Sequence, residues 1–198
     1  MEEQFRAWSC ADIVQVALSL AHARLDQLPM LRLLYAEALN RLDSDKLAQS
    51  SSNSEDRRNF LAWELSILLW AQARLHFTSA NGEAFHAFSR KVVMSINNAL
   101  KQGLSFSDIG VGPQEQANIA WSLTVLELYD SPDASNVLAA IFKEAAASCR
   151  EQGVIQLEHA HQLWQALFLF EDHCTSCVES APEWFRDYLQ DKWYLEKA

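Results

Sequence analysis

One helical sequence pattern occurs four times along this chain, and it sets what the chain can fold into. The copies read VQVALSLAHARL, ELSILLWAQARL, EQANIAWSLTVL and EHAHQLWQALFL. The same slot of the pattern holds a large apolar residue in every copy, namely Leu20, Trp70, Trp121 and Trp164. Successive members of this slot are 50, 51 and 43 residues apart. Self-similarity at such a period predicts stacked helical repeats.

The predicted fold class is all-α. Apolar residues recur at spacings of three and four, as on one face of an amphipathic helix, and no segment alternates with period two. We therefore expect an α-solenoid of about four stacked helical hairpins in one domain, residues 1–198. The hairpins are predicted at residues 10–42, 59–100, 113–150 and 155–195, with a polar, Ser-rich loop at 43–58 and a turn at 79–82.

The shared slot is interpreted as the core of the repeat. A tryptophan within a periodic apolar stripe usually packs, and each buried tryptophan removes about 150–250 Å² from water. The alternative, a platform on which bases stack, needs exposed aromatic rings. Leu20, Trp70, Trp121 and Trp164 are thus predicted to fill the gaps between neighbouring hairpins.

A second shared slot holds a glutamate six residues before each tryptophan. Its members are Glu64, Glu115 and Glu158. A carboxylate in the first turn of a helix interacts favourably with the positive end of the helix dipole. Because the three lie about one repeat apart, we expect this structural role and not catalysis.

Composition excludes several classes of protein. Apolar residues make up 49% of the chain, with only 5 Gly and 4 Pro, as in a globular, helix-rich protein. No apolar run approaches the ~18 residues of a membrane span, so no membrane insertion is expected. The start, Met1-Glu2-Glu3, resembles neither a signal peptide nor a transit peptide, although a presequence could already have been removed. Four cysteines imply no disulfide framework and favour a reducing compartment.

Charge is distributed unevenly along the chain. Residues 1–101 carry 11 Lys/Arg and 11 Asp/Glu, whereas residues 102–198 carry 5 and 15, so the whole net charge of −10 lies in the second half. An acidic surface repels phosphate and lacks the counterion release that drives nucleic-acid binding. If this chain contacts nucleic acid, we therefore expect the first half to do so, whereas the second half is suited to a protein, such as a basic partner.

Four motifs resemble those of organellar RNA-associated helical repeats. PQEQANIAWSL (113–123) is similar to their "x-Q-E-x-A-N-x-x-W-A-L-A-K-L" helix, and LLWAQARL (68–75) is a second instance. HQLWQALFL (161–169) resembles the "L-x-Q-L-x-Q-x-x-L-x-L" helix that precedes the RAP domain. Pro182-Glu183-Trp184 resembles the "P-P-E-W" element of octotricopeptide repeats. The family comprises octotricopeptide-repeat and RAP-domain proteins, with the Fas-activated kinase-like mitochondrial proteins as relatives.

This resemblance, over about residues 10–170, implies an α-solenoid in mitochondria, or alternatively chloroplasts, that binds or stabilises organellar RNA. Members of this type also occur as structural parts of divergent mitochondrial ribosomes. Two features depart from the family. The chain after Phe170 is too short for a RAP domain, and a pI near 5.0 is unlike that of a free-standing RNA binder. Together they favour a protein held within a large complex.

Basic residues of the first two repeats are the candidates for phosphate contact. Arg24 and Arg74 occupy the same repeat slot, which holds Val125 and Phe168 in the later repeats. The alternative is that they are ordinary solvated charges. The candidate RNA contacts are Arg24, Arg57, Arg58, Arg74, Arg90 and Lys91.

Cysteine and histidine residues near the C-terminus offer a weaker candidate, a zinc site. Cys174 and Cys177 form a C-x-x-C with His173 beside it, but a structural zinc needs a second pair of ligands. His159 and His161 are two residues apart on a predicted helix, so they point to different faces. We expect free thiols in a loop and no metal or other cofactor.

The sequence favours a non-enzymatic protein. It contains no nucleophile elbow and no Gly-rich phosphate loop. The leading hypothesis is a structural component of a mitochondrial ribonucleoprotein such as the mitochondrial ribosome, which binds ribosomal RNA and neighbouring proteins. The rival is a protein–protein scaffold without direct RNA contact, and a zinc-dependent or hydrolytic enzyme is a third, weaker alternative.

Overall fold

The structure, a computed structural model, describes residues 7–25, 27–42, 59–76 and 82–195. Within these ranges the chain forms nine helices and no strand, which confirms the predicted all-α class. The predicted loop at 43–58 and most of the turn at 79–82 lie outside the described residues.

The helices lie within the predicted hairpins, and a short helix, α8, includes part of the segment that was predicted as a loop around Cys174 and Cys177. They are α1 (Cys10–Ala23), α2 (Leu28–Leu42), α3 (Ala62–Arg74), α4 (Glu83–Lys101), α5 (Pro113–Val125), α6 (Pro132–Gln152), α7 (Leu157–Phe170), α8 (Thr175–Glu179) and α9 (Glu183–Leu195). In the following, "first helices" means α1, α3, α5 and α7, which carry the four copies of the sequence pattern. The chain divides into two compact units, Met1–Gly112 and Pro113–Ala198, and each holds two of the four predicted hairpins.

In the first unit, like helices of consecutive hairpins pack together, α1 against α3 and α2 against α4. Tyr35 of α2 lies at the centre of this core. Its ring lies 5.1 Å, between centroids, from the rings of both Phe85 and Phe88 on α4. Its hydroxyl donates a hydrogen bond of 2.7 Å to the carbonyl oxygen of Leu68 on α3. Burial raises the pKa of Tyr35 well above its usual value, so the hydroxyl remains a donor at any ordinary pH.

In the second unit the first helices also pack together. The first helices α5 and α7 pack together, α9 packs on α7, and the short α8 packs on α6. The ring of Phe170, at the end of α7, is fully buried and lies 4.9 Å from the ring of Tyr129. Phe142 and Phe185 complete the aromatic part of this core.

Local sequence signals determine where several helices begin and end. Ser9 caps α1, and its backbone N–H and hydroxyl both donate to the Asp12 carboxylate. These hydrogen bonds hold the pKa of Asp12 below its usual value. Ser131 caps α6, with Pro132 in its first turn, and Gly153 ends that helix with φ +76°, a conformation that glycine adopts without strain.

Among the described residues, no helix combines the length and the apolarity that a membrane crossing requires.

Replacing Tyr35 with phenylalanine removes one buried hydrogen bond and keeps the ring packing. We expect the free energy of unfolding to fall by about 1 kcal/mol, the usual net contribution of such a bond. Urea unfolding of the full chain, followed by circular dichroism, measures this loss. Tyr194→Phe is the control, because Tyr194 is 58% exposed and should lose almost nothing. Equal unfolding curves for the two variants would contradict the central role of Tyr35.

Candidate functional site

Two polar contacts fix how the first helices of the second unit lie beside each other. The indole N–H of Trp121 on α5 donates to Gln165 Oε1 on α7 at 3.0 Å. One turn earlier, Gln162 Nε2 donates to Asn118 Oδ1 at 3.0 Å. Both bonds join residues 44 positions apart in the chain. A constant separation means that α5 and α7 run parallel and in register.

The first helices of the first unit show a similar contact. The ring of His22, in the last turn of α1, lies 5.3 Å from the ring of Trp70 on α3. Trp70 is four residues from the end of α3. Because both residues lie in the C-terminal half of their helices and α1 packs against α3, the C-terminal ends of the two helices are neighbours.

The residues of the shared slot lie at the margin of the helix interfaces, not inside them. Leu20, Trp70, Trp121 and Trp164 are all half-buried, so their prediction as fully packed core residues needs correction. Smaller residues such as Ala21, Leu69, Ala120 and Leu163, one position away, are the ones that are buried. Trp70 and Trp121 do contact the neighbouring first helix, as expected of residues that join repeats.

Arg24 and Arg74 are both exposed, and each lies at the C-terminal end of a first helix. Arg24 is the C-cap of α1 and has φ +53°, in the left-handed region. Arg74 is the last residue of α3. The two predicted phosphate-contacting residues therefore sit on neighbouring helix ends of one unit. We name this pair the basic ends.

The other predicted RNA contacts do not join the basic ends. Arg90 is exposed and Lys91 half-buried on α4, which is the second helix of its hairpin. Arg57 and Arg58 lie outside the described residues. Among the described candidates, only Arg24 and Arg74 share the first-helix surface.

In the second unit the same repeat position carries apolar side chains. Phe168 and Leu169, at the end of α7, are 60% and 44% exposed. Glu171 and Asp172 follow directly and are also exposed. We name these four residues the α7 patch. The sequence aligned Phe168 with Arg24 and Arg74, but periodicity alone could not show that this phenylalanine faces solvent.

The three shared glutamates differ in burial but lie at equivalent helix positions. Glu64 is fully buried, and its carboxylate accepts the backbone N–H of Leu61 at 2.8 Å, at the start of α3. Glu115 is half-buried in the first turn of α5, and Glu158 is exposed in the first turn of α7. All three thus lie at helix N-termini, where a carboxylate is favoured.

The C-terminal cysteines differ from their prediction as free thiols in a loop. Cys174 and Cys177 are joined as a disulfide, with a Cα–Cα distance of 5.5 Å, and Cys177 lies on α8. Cys10 and Cys149 are buried and do not take part in a disulfide, and burial raises the pKa of Cys149. No group of three or more His, Cys, Asp and Glu side chains in the described part of the chain is placed to hold a metal ion.

The histidines considered for zinc make other contacts. The His161 Nε2 atom lies 3.1 Å from the carbonyl oxygen of Lys192, and its ring packs edge-on against Trp193 on α9. The ring of His173 stacks on that of Tyr129 at 4.1 Å. Burial lowers the pKa of His159, although Glu158 and Glu115 act in the opposite direction. These contacts explain the histidines as packing residues.

Comparison with protein-family models, with curated proteins and with solved structures finds no match to this chain. The resemblance to octotricopeptide-repeat proteins therefore rests on the four sequence motifs alone and stays a prediction.

The contribution of the hydrogen bond between Trp121 and Gln165 to the free energy of unfolding can be measured by a double-mutant cycle. We expect Trp121→Phe and Gln165→Ala to be coupled by about 0.5–1 kcal/mol, because either change alone removes the same hydrogen bond. The free energies of unfolding of the two single variants and the double variant give the coupling. Trp121→Phe combined with Gln190→Ala is the control pair, because Gln190 is exposed on α9. Additive effects in the first cycle would show that this bond does not hold α5 to α7.

Proposed function

We propose that this chain is a non-enzymatic α-solenoid protein that contacts RNA through its first unit and protein through its second. On this proposal it is a structural component of a mitochondrial ribonucleoprotein such as the mitochondrial ribosome, with a chloroplast particle as the alternative. The organelle and the kind of particle rest on the sequence motifs. The assignment of RNA contact to the first unit and protein contact to the second rests on the side chains described above.

The observation that carries the proposal is the alignment of helix ends. In the first unit both pairs of like helices pack together, as in a solenoid, and in the second unit the first helices α5 and α7 do. Each pair of first helices therefore presents equivalent positions side by side. In the first unit these positions are the exposed Arg24 and Arg74, which suit phosphate groups of an RNA strand. In the second unit the equivalent position holds Phe168, which suits a protein.

Arg24 occupies a left-handed backbone conformation in which a side chain is mildly disfavoured. Its φ of +53° lies in the left-handed region, where a residue with a side chain costs about 1 kcal/mol relative to glycine. A cation at a helix C-terminus recovers about 0.3–1 kcal/mol through the helix dipole. Stability alone would therefore accept glycine at this position equally well or better.

The charge of the second unit favours a protein partner there. Pro113–Ala198 contains 14 acidic and 5 basic residues, whereas Met1–Gly112 contains 12 and 11. The α7 patch combines this negative charge with exposed Phe168 and Leu169. An apolar contact bordered by carboxylates fits a partner with an apolar anchor and flanking Lys or Arg. The same patch supports the rival function, a protein scaffold with no RNA contact.

We expect Arg24→Gly to weaken RNA association and to leave the fold equally or more stable. The control is Glu127→Gly, which relieves the same left-handed conformation, φ +56°, just after α5 but removes an acidic side chain. Glu127→Gly should stabilise the protein and leave RNA association unchanged. Fluorescence anisotropy with a short, labelled single-stranded RNA of mixed sequence measures association, and urea unfolding measures stability.

The salt dependence of RNA association shows how many phosphate contacts the basic ends make. If both basic ends contact phosphate, Arg24→Gly combined with Arg74→Gln should reduce the slope of log K against log salt by about 1.4, since each single-strand phosphate contact contributes about 0.7. An unchanged slope, or equal weakening by Glu127→Gly, would reject RNA contact at the basic ends and leave the scaffold function.

The protein-binding role of the second unit predicts that Phe168→Ser with Leu169→Ser releases proteins that copurify with the full chain. These proteins should remain attached to the wild-type chain after ribonuclease treatment. The control is Val154→Ser with Leu157→Ser, because these two residues are also exposed and apolar, at 59% and 38%, but lie before or at the start of α7. Quantitative mass spectrometry of the purified complexes measures retention. Loss of all proteins on ribonuclease treatment of the wild type would mean that RNA alone links the chain to its complex.

A further inference from the structure

The two cysteines near the C-terminus form a compact site that the proposed binding function does not use. Cys174 is half-buried, whereas Cys177 is fully buried. Both sulfur atoms lie against Ser135 on α6: Cys174 Sγ is 3.4 Å from the Ser135 hydroxyl oxygen, and Cys177 Sγ is 3.3 Å from the Ser135 carbonyl oxygen. Cys174 is thus partly accessible to solvent, and Cys177 is not.

This arrangement provides for both oxidation states of the pair. The Cα atoms lie 5.5 Å apart, within the ordinary range for a disulfide, so the bond can form without moving the backbone. When the bond is reduced, the Cys177 thiol can donate to the Ser135 carbonyl oxygen, and the fold around α8 keeps a contact at that place. The Cα spacing therefore suits the oxidised pair, and the Ser135 carbonyl offers the reduced pair a hydrogen-bond acceptor.

A disulfide with a purely structural role would be expected to join residues farther apart in the chain. The stabilisation that a disulfide gives grows with the length of the loop that it closes, and this one joins residues only three positions apart. Cys10 and Cys149 are buried and do not take part in a disulfide. A short bridge with one half-buried cysteine is suited to reversible exchange, the chemistry in which closely spaced C-x-x-C pairs act.

We propose that Cys174 and Cys177 form a thiol–disulfide exchange site, whose reaction partners are low-molecular-weight disulfides and thiols of the glutathione class. The Cys174 thiolate attacks one sulfur of the small disulfide, a mixed disulfide forms, and the other small thiolate leaves. The Cys177 thiolate then attacks the Cys174 sulfur, and the second small thiolate leaves. The pair loses two electrons and two protons, and the small disulfide becomes two thiols. Reduction runs through the same steps in reverse.

Cysteine mapping on the full chain tests this site. The chain is reduced with dithiothreitol, freed of reductant and incubated in glutathione buffers from fully reduced to fully oxidised. Acid quenching, alkylation and mass spectrometry of peptides then give the state of each cysteine. We expect Cys174 and Cys177 to oxidise together, to return to thiols on renewed reduction, and to leave Cys10 and Cys149 as thiols. The two buried cysteines are internal controls within the same molecule.

Single substitutions identify the order of attack. Cys177→Ser should stop at a mixed disulfide between Cys174 and one glutathione. Cys174→Ser should react with oxidised glutathione at least roughly tenfold more slowly than Cys177→Ser, because the remaining cysteine, Cys177, is buried. If either variant fails to fold, the wild-type mapping still decides. Retention of both thiols in pure oxidised glutathione, or oxidation of all four cysteines at one rate, would overturn the proposal.

Discussion

The parallel packing of the first helices is the constraint on which the rest of the structure depends. Between α5 and α7 it is held by two amide and indole hydrogen bonds, Trp121 to Gln165 and Gln162 to Asn118, one helical turn apart. Two bonds of equal chain separation permit a single register. Apolar side chains alone would allow neighbouring helices to slide, whereas directional bonds at half-buried positions penalise every other register by leaving polar groups without partners.

The fixed register determines which residues lie at neighbouring helix ends. When two parallel first helices are aligned, the residues that end them lie side by side. After each end the chain must turn sharply to begin the second helix of the same hairpin. Arg24 and Glu127 make this turn in left-handed conformation directly after α1 and α5, and each turn is closed by a hydrogen bond from the next N–H to the carbonyl of Leu20 or Leu123. The side chain at such a turn is exposed by geometry, so a repeat can change its surface chemistry there without disturbing its core.

Sequence periodicity was sufficient to predict where the helices lie, but not which of their side chains are exposed. Apolar spacing predicted where helices lie, because helix formation depends on local chemistry. The slot of Trp121 was predicted as core, and the structure shows it half-buried, because a pattern defines an apolar stripe but not which of its edges a neighbouring helix covers. The bridge between Cys174 and Cys177 was missed for a related reason: its geometry depends on α8, a helix too short to leave a periodic signal.

Charge distribution limits how one chain with this repeat can bind. On the proposed function, the arginines at the first-helix ends of the first unit attract a polyanion, whereas Glu171 and Asp172 beside Phe168 in the second unit repel one. Counterion release then favours RNA contact with the first unit and not with the second. The second unit instead suits a partner that carries Lys or Arg. A particle that contains both RNA and protein would, on this proposal, supply a suitable partner to both kinds of helix end.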